Sequence, residues 1–341
     1  LAWVTWRWVE RPFRFGGLRK YSTPVLITAL LLVSTFGGYV WLNQGLIERS
    51  SVRALSFMTQ DLVFELPEDH SSWCAAQSQW ASDAICFLHE STTHPTSALI
   101  GDSHAQALFP GLATALEEQE GNLVVVGAAG CPPLLDVYSS DTSKSDQRSC
   151  LDKMTPAIEA VVKDPTINRV YLTGRGALYV SGDGFGSYRD SYNGDWTLRF
   201  ISENAGDLKN PEAYQAGLQL TVKTLLEAGK KVLFLHDVPE LGFDPRTCMP
   251  DRPFAPAGSQ RWPCGVGKTV FLNRYANFEQ LVDEVLEDFP EVTQVHLSEA
   301  LCDDRFCIGA LPDMLLYRDD DHLSERGSHW VIRRLQDSGV L

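Results

Sequence analysis

The sequence lacks the basic clusters that nucleic-acid binding requires. Its 29 lysines and arginines are outnumbered by 44 aspartates and glutamates, which gives a formal net charge of −15 at pH 7. Neutralising phosphates needs clustered positive side chains, and the body of the chain has no such cluster. A nucleic acid is therefore not an expected partner. Internal repeats and low-complexity tracts are also missing. The length of 341 residues predicts about two domains, or one large domain with appendages.

Cysteine patterns typical of metal sites are absent as well. None of the eight cysteines stands in a C-x-x-C motif or has a histidine at zinc-finger spacing, so no metal site is expected from them. Their even number and short separations favour disulfides in an oxidising compartment, and the simplest connectivity pairs neighbours. These neighbouring couples are Cys74/Cys86, Cys131/Cys150, Cys248/Cys264 and Cys302/Cys307. Eight reduced thiols are the alternative.

Charged residues are missing between Tyr21 and Ile47. This stretch is long enough to cross about 30 Å of hydrocarbon as a helix, so residues 21–47 are predicted to form one transmembrane helix. A buried soluble helix and the apolar core of a cleaved signal peptide are the alternatives. No convincing cleavage site follows the stretch, however, and Tyr39 and Trp41 suit an interfacial aromatic belt.

Basic residues are concentrated on the N-terminal side of this stretch. Five of them precede it, against the single acid Glu10, and mostly acidic sequence follows it. The positive-inside rule therefore predicts a cytoplasmic N-terminus and an outer C-terminal part. In a Gram-negative cell that part lies in the periplasm, where disulfides persist, so we expect a protein of the inner (cytoplasmic) membrane. The five residues are Arg7, Arg11, Arg14, Arg19 and Lys20.

Strand-like and helical patterns alternate over residues 96–341. This alternation predicts an α/β domain with a parallel sheet covered by helices, and the continuous apolar runs suit strands buried on both faces. Residues 48–95 are predicted to be a periplasmic connector. Long loops are expected over 175–210 and 239–267, at the strand ends that commonly bind ligands. Strands are predicted at 97–101, 122–127, 169–174, 231–237 and 293–297, and helices at 105–119, 151–163, 211–228, 268–288 and 324–336.

One serine lies where such a sheet binds its ligands. Gly101, Asp102 and Ser103 connect the first strand to the first helix, so Ser103 is expected in the crevice at the strand ends. The N-terminus of that helix offers free N–H groups and a partial positive charge that stabilise an oxyanion. The alternative is that Ser103 or Asp102 only caps the helix. His104 diverges from its neighbour and is expected to be structural or to face the substrate.

A serine is a poor nucleophile without a base, and residues 317–327, YRDDDHLSERG, supply one. Asp319 and His322 are three residues apart, so one turn can bring the carboxylate to the imidazole, fix its tautomer and stabilise the imidazolium. Asp321, directly before His322, is predicted to be worse placed. Ser324 would cap the last helix. An acidic surface loop with a stray histidine is the alternative.

These motifs together resemble the SGNH (GDSL-type) esterase and acyltransferase family. The resemblance depends on G-D-S-H after the first strand and D-x-x-H before the last helix. It implies a flavodoxin-like three-layer domain with a catalytic triad of Ser103, His322 and Asp319. It also implies an oxyanion hole formed by the N–H of Ser103, a glycine after the second strand and an asparagine after the third.

Candidates for two of these oxyanion donors follow the second and third strands. The glycine is expected in VVVGAAGCPP, at Gly130 or else at Gly127. The third strand runs into LTGRGALY, which has no asparagine, and Arg175 is predicted to replace it as a cationic donor, or backbone N–H groups there do so. A missing oxyanion donor costs about 2.7–4 kcal/mol, so a compensating group is expected. Two further histidines at strand ends, His236 and His296, are expected to be satisfied core or rim residues.

The aromatic run at the start of the chain carries a second resemblance. Residues 1–20 begin LAWVTWRWVERPFRF and resemble the end of the membrane domain of acyltransferase family 3, whose multi-spanning members modify cell-surface glycans. We therefore expect residues 1–20 to be the tail of a longer membrane domain. With the apolar helix and the GAAGCPPL stretch, the layout is similar to bacterial O-acetyltransferases that fuse such a domain to a periplasmic SGNH domain.

The combined resemblance implies an acyl-transfer enzyme. Its serine would form an acyl-enzyme, and a hydroxyl of a cell-surface glycan such as lipopolysaccharide O-antigen would accept the acyl group, most simply acetyl. This chain is expected to bind no cofactor itself. Acetyl-CoA would be the ultimate donor through the membrane domain, and that domain, the glycan and the lipid bilayer are the expected partners. A membrane-anchored periplasmic carbohydrate esterase (deacetylase) and a non-catalytic glycan-binding domain serving the membrane acyltransferase are the alternatives.

Overall fold

The chain folds as two units, Leu1–Ser56 and Phe57–Leu341. The predicted apolar segment belongs to the first unit, and the predicted catalytic domain belongs to the second. The structure is a computed structural model. It describes residues 2–15, 21–42, 58–64, 72–76, 84–90, 92–141, 150–186, 196–200, 208–249 and 261–341.

Helices make up the described part of the first unit. Helix α1 spans Ala2–Thr5, a π-helical turn spans Trp6–Glu10, and α2 spans Arg11–Phe15. Helix α3, Ser22–Leu42, has 21 residues, a mean hydropathy of 2.0 and no buried residue. By length and composition α3 can cross a membrane, in the place where the transmembrane helix is predicted. The predicted residues 43–47 lie outside the described part of the chain.

A six-stranded sheet forms the centre of the second unit. The strands of this unit are β1 Ile85–Leu88, β2 Ser97–Gly101, β3 Leu123–Gly127, β4 Val137–Asp141, β5 Arg169–Thr173, β6 Trp196–Phe200, β7 Lys231–His236, β8 Gly265–Gly267, β9 Thr293–His296, β10 Phe306–Ile308, β11 Ala310–Leu311 and β12 Met314–Leu315. The central sheet has the order β1-β3-β2-β5-β7-β9. All its pairs are parallel except β1 with β3. Counted along the chain, its parallel strands follow the flavodoxin-like order 2-1-3-4-5, which confirms the predicted fold class.

Helices cover both faces of this sheet. They are α4 Ser72–Ala76, α5 Ser103–Glu117, α6 Leu151–Lys163, α7 Gly176–Ser181, α8 Asn210–Glu227, α9 Lys268–Leu286, α10 Ser298–Leu301 and α11 Glu325–Asp337. Successive strand residues point to opposite faces. Ile100 of β2 therefore packs in a core with α6, α8 and α9, whereas Leu99 packs in a second core with α5 and α11. Both residues are fully buried, as the unbroken apolar strand patterns predict.

Close packing of α5 against α11 brings the end of the chain to the start of the sheet. A Cβ added to Gly111 of α5 would lie 2.4 Å from the carbonyl oxygen of Ser328 in α11, so only glycine allows this approach. The N–H of Gly111 donates to Ser328 Oγ (2.9 Å), and that hydroxyl donates to the carbonyl of Leu108 (2.8 Å). The loop before α11 is thereby held beside the N-terminus of α5.

Three segments differ from the sequence-based expectation. The predicted connector contributes β1 to the sheet, so the sheet begins earlier than the pattern indicates. The first long loop contains α7 and β6, and β6 pairs with β4 in an antiparallel ribbon. The second contains a 3₁₀ turn, Pro245–Cys248, and β8. All four neighbouring cysteine couples form disulfides, as predicted: Cys74–Cys86, Cys131–Cys150, Cys248–Cys264 and Cys302–Cys307.

Candidate active site

Ser103 lies at the carboxyl end of β2, with β3 on one side and β5 on the other. It is the first residue of α5, and Asp102 is the N-cap. A Cβ added to Gly101 would lie 2.0 Å from the carbonyl oxygen of Thr173 in β5, so the turn requires glycine. This is the point where the strand order reverses, and open α/β sheets bind their ligands in the crevice there.

Asp102, buried with 1% exposure, holds the turn together. One carboxylate oxygen accepts the N–H of His104 (2.8 Å), and the other accepts the N–H of Arg175 (2.9 Å) and the hydroxyl of Tyr179 (2.6 Å). Burial and the charge of Asp102 raise the pKa of Tyr179 well above its ordinary value, so this phenol stays protonated and donates. Asp102 is therefore the residue that caps the helix, and the Ser103 hydroxyl points to a different partner.

That partner is His322, whose Nε2 lies 2.7 Å from Ser103 Oγ. On the other side of the ring, Nδ1 lies 2.9 Å and 3.0 Å from the two carboxylate oxygens of Asp319. The N–H of His322 donates to the same carboxylate (2.7 Å), so the i, i+3 spacing works as a turn. Ser324 caps α11 by accepting the N–H of Gly327 (2.9 Å), as predicted. The structure thus brings together the serine, histidine and aspartate that the sequence singles out.

A second carboxylate reaches the same imidazole nitrogen. Asp321 Oδ1 lies 2.7 Å from Nδ1 of His322, and the side chain of Asp321 is 4% exposed, against 40% for Asp319. Among the described residues, however, only Asp319 makes aligned hydrogen bonds to Nδ1, which agrees with the expectation that Asp321 is worse placed for this contact, although it lies close by. Asp319 accepts the N–H of Asp321 (3.1 Å) as well as that of His322, and in this tight turn both carboxylates reach the ring.

Comparison with known proteins identifies the family. A family model for the SGNH domain fused to AT3 domains matches residues 73–337. The chain belongs to this family. Its second unit is therefore an SGNH domain, of the hydrolase and acyltransferase type.

Solved structures with related folds are distant from this SGNH domain. The periplasmic domain of the lipopolysaccharide acetyltransferase from Salmonella ser. Paratyphi A is 18% identical, with a TM-score of 0.46 over 73% of this chain and 85% of that chain. A GDSL-like lipase from Bacteroides thetaiotaomicron VPI-5482 is 7% identical, with a TM-score of 0.37 over 79% and 95%. No curated protein matches the sequence. The family assignment depends on the family model alone.

The charges of the SGNH domain make His322 a stronger base. Burial by itself would lower the pKa of His322, but the charge of Asp321 and hydrogen bonds to Asp319 and Asp321 outweigh burial and raise it. Burial likewise opposes ionisation of Asp321, yet His322, His104 and Arg175 hold its pKa well below the usual range. Asp321 is therefore a buried carboxylate anion beside the imidazole.

His104 is part of the interior of the SGNH domain and does not face the substrate. Its side chain is buried, and its Nδ1 lies 2.9 Å from Asp237 Oδ1. Burial would lower the pKa of His104, but the charge and hydrogen bond of Asp237 raise it well above the ordinary value. The resulting imidazolium packs against His322, with ring centroids 4.6 Å apart, and its Nε2 lies 3.8 Å from Asp321 Oδ2. Of the two expected roles, the structure supports the structural one.

Arg175 occupies a different place from the one predicted. Its guanidinium is buried and pairs with Glu240 (2.6 Å) and with Asp321 (2.6 Å), while its backbone N–H donates to Asp102. Glu240 also accepts from Arg274 (2.7 Å). The prediction of Arg175 as an oxyanion donor is therefore corrected, because its guanidinium pairs with Glu240 and Asp321 and its backbone N–H donates to Asp102.

The two candidate oxyanion glycines differ in environment. Gly127 closes β3, and a Cβ there would lie 1.8 Å from the carbonyl oxygen of Gly101. Gly130 lies in the loop after β3 with φ +71°, a backbone conformation that favours glycine, and the ring of Trp196 covers it. A loop N–H can turn to a ligand whereas a residue within the sheet is held by strand pairing, so Gly130 remains the better candidate.

Sequence reasoning missed four residues of this network: Tyr179, Asp237, Glu240 and Arg274. One signal was available for two of them. The segment HDVPE places Asp237 and Glu240 directly after the buried strand β7, and carboxylates at the carboxyl end of a parallel strand commonly belong to the site. Tyr179 and Arg274 lie on α7 and α9, and nothing in their local sequence distinguishes them from ordinary helix residues.

Proposed function

We propose that the SGNH domain is an O-acyltransferase that moves an acyl group, in the simplest case acetyl, to a hydroxyl of a cell-surface glycan such as lipopolysaccharide O-antigen. The observation that carries this proposal is the 2.7 Å contact between Ser103 Oγ and His322 Nε2. A serine needs a base in hydrogen-bond reach to become a nucleophile. The fusion of this family to AT3 domains supports the transferase assignment.

In the first half-reaction, Ser103 Oγ attacks the carbonyl carbon of the acyl donor while His322 Nε2 takes the hydroxyl proton. The two carboxylates at Nδ1 keep the proton on that nitrogen, which leaves the Nε2 lone pair free to act as the base. The tetrahedral intermediate collapses, the donor oxygen leaves with the proton from His322, and an acyl ester on Ser103 remains. The N–H groups of Ser103 and Gly130 would hold the oxyanion.

In the second half-reaction, the glycan hydroxyl takes the place of the departed donor. His322 Nε2 removes its proton, and the sugar oxygen attacks the acyl carbon of the ester on Ser103. Collapse of this second intermediate returns the proton to Ser103 Oγ and releases the acylated glycan. Water in place of the sugar gives hydrolysis by the same steps, so the acceptor alone decides between transferase and esterase.

The proposal also includes the source of the acyl group and the cellular location of the SGNH domain. An AT3 membrane domain would deliver the acyl group, ultimately from acetyl-CoA, to the crevice that contains Ser103. Helix α3 would cross the inner membrane and leave the SGNH domain in the periplasm, where its four disulfides are stable. No cofactor held by this chain enters these steps.

The test is Ser103→Ala in cells that make the glycan, together with the full chain and its AT3 domain. We expect glycan O-acylation, measured by NMR of the purified polysaccharide, to vanish, whereas the exposed control Ser338→Ala retains it. Full acylation with Ser103→Ala would refute the triad and favour a glycan-binding domain. With purified protein and an acetyl ester, acetylated sugar is the expected product when glycan is present. Free acetate alone would identify an esterase.

A further inference from the structure

A second group of ligand-type side chains lies outside the catalytic network. His236 closes β7 and His296 closes β9, and the two residues are register partners on neighbouring parallel strands. Their rings stack with centroids 3.9 Å apart and planes 23° apart. Glu279 comes from α9, which covers this face of the sheet. Two strand ends and one helix therefore contribute one ligand-type residue each.

The donor atoms of these residues converge. Glu279 Oε2 lies 2.7 Å from Nδ1 of His236 and 3.6 Å from Nδ1 of His296. The three ligand atoms all lie within 4.8 Å of one another. A Zn²⁺ ion lies about 2.0–2.2 Å from its nitrogen and oxygen ligands, so an ion at this point would move Glu279 away from His236 and draw the His296 ring inwards.

The hydrogen bonding of His236 leaves its second ring nitrogen facing the carboxylate of Glu279. Its Nε2 lies 2.7 Å from the side-chain oxygen of Gln294 and donates to it. The other ring nitrogen, Nδ1, is buried and makes no aligned hydrogen bond with any described residue, although the carboxylate of Glu279 lies 2.7 Å away. Histidines that bind metals almost always donate their other ring N–H to an oxygen in this way.

Charge and access at the cluster also suit a cation. The carboxylates of Asp283 and Glu299 act on His296 in addition to Glu279, so the local charge is negative. The side chains of His296 and Glu279 are 40% and 26% exposed, which gives an ion and its water ligands a route from solvent.

We propose that His236, Glu279 and His296 form a binding site for a divalent transition-metal ion of the Zn²⁺ class. Imidazole ligands suit zinc, nickel, cobalt and copper, whereas magnesium and calcium prefer oxygen ligands alone. Three protein ligands leave at least one position for water. The ion would link β7, the edge strand β9 and α9. This site does not depend on the proposed function.

The test uses the full chain, purified in detergent, stripped with a chelator and titrated with Co²⁺ as a spectroscopic probe. All eight cysteines are in disulfides, so thiolates do not compete. We expect one Co²⁺ per chain, displaced by Zn²⁺, with affinity at least tenfold weaker in His296→Ala and Glu279→Gln. Gln294→Ala should weaken binding by about 10- to 100-fold, the range typical of residues that orient a ligand. The control His89→Ala, in a surface group with Glu117, should bind normally.

Thermal unfolding is the second measurement. Zn²⁺ should raise the Tm of the parent chain and leave that of His296→Ala unchanged. No stoichiometric Co²⁺ binding, or binding that persists in both His296→Ala and Glu279→Gln, would overturn the proposal. So would binding abolished by His322→Ala, since it would place the ion at the catalytic cluster of His104, Asp321 and His322.

Discussion

Two carboxylates share one nitrogen of the proposed base, and this arrangement predicts an unusual response to mutation. Nδ1 of His322 lies 2.9 Å from Asp319 and 2.7 Å from Asp321. The perturbation is neutralisation of each carboxylate, Asp319→Asn and Asp321→Asn, singly and together. Each single variant keeps one carboxylate at Nδ1, so the tautomer that leaves Nε2 free as a base survives in both.

The expected losses of kcat follow from the presence of two carboxylates at Nδ1. Neutralising the carboxylate of a Ser–His–Asp triad lowers kcat by about 10⁴-fold through loss of the correct tautomer, or about 5.4 kcal/mol. We expect each single variant to lose only about tenfold, close to 1.4 kcal/mol, and the double variant about 10⁴-fold. The two substitutions would then be coupled by about 2.6 kcal/mol, within the range observed for residues that share a partner.

The free energy of unfolding should differ between Asp319→Asn and Asp321→Asn even if their activities are similar. Asp321 is buried and pairs with Arg175, and removing one partner of a buried pair costs about 3–5 kcal/mol when the remaining charge is uncompensated. Glu240 still pairs with Arg175 in Asp321→Asn, so we expect the lower end of this range. Asp319 is 40% exposed, and an exposed pair contributes about 0–1 kcal/mol. At about 2–4 °C per kcal/mol, Asp321→Asn should lower the Tm by at least about 6 °C, while Asp319→Asn leaves it nearly unchanged.

The assay is acyl transfer from an acetyl ester, with calorimetry on the same preparations and circular dichroism as the control for folding. Activity is measured at a temperature where every variant is folded, so that stability does not enter the rates. A loss of about 10⁴-fold in Asp319→Asn alone would refute the reasoning, because Asp321 would then give no support to the imidazole. The reasoning would also be refuted if the fold-losses in activity of the two single variants, multiplied together, equalled the fold-loss of the double variant.

Three further predictions concern the base, a disulfide and the turn before the nucleophile. The pKa of His322 is raised, and the neutral ring is the base. Activity should therefore rise with pH through a midpoint above the ordinary histidine pKa of about 6.5. A midpoint below that value in the pH–rate profile would contradict the charge assignment. Replacing Cys131 and Cys150 with alanine opens a loop of sequence separation 19 and should cost about 3 kcal/mol in denaturant unfolding, whereas an unchanged midpoint would show that the loop is held by other contacts. Gly101→Ala should abolish soluble expression or activity because its Cβ would meet a β5 carbonyl at 2.0 Å, while Gly267→Ala, whose Cβ would have no atom closer than 3.9 Å, should be tolerated.

The fold was predictable because its signals are local and repetitive. Buried parallel strands give unbroken apolar runs, and the structure places β2 and α6 at the predicted bounds of 97–101 and 151–163. The histidine and its first carboxylate were predictable for the same reason, since Asp319 and His322 meet within one turn. Strand β1, which lies in the predicted connector, was missed because it is only four residues long and its register with β3 depends on a partner almost forty residues away.

The charge network was not predictable because its members meet only in the folded sheet. The pair Arg175–Glu240 spans 65 residues, and the pair His104–Asp237 spans 133. Each of these four side chains is costly to bury alone, so each depends on a partner that sequence spacing does not reveal. The resemblance led to Arg175 being assigned to the oxyanion, where the family pattern has an asparagine. In the structure its guanidinium pairs instead with one oxygen of Asp321, whose other oxygen lies 2.7 Å from Nδ1 of His322, so the cation at this position belongs to the charge network around the base.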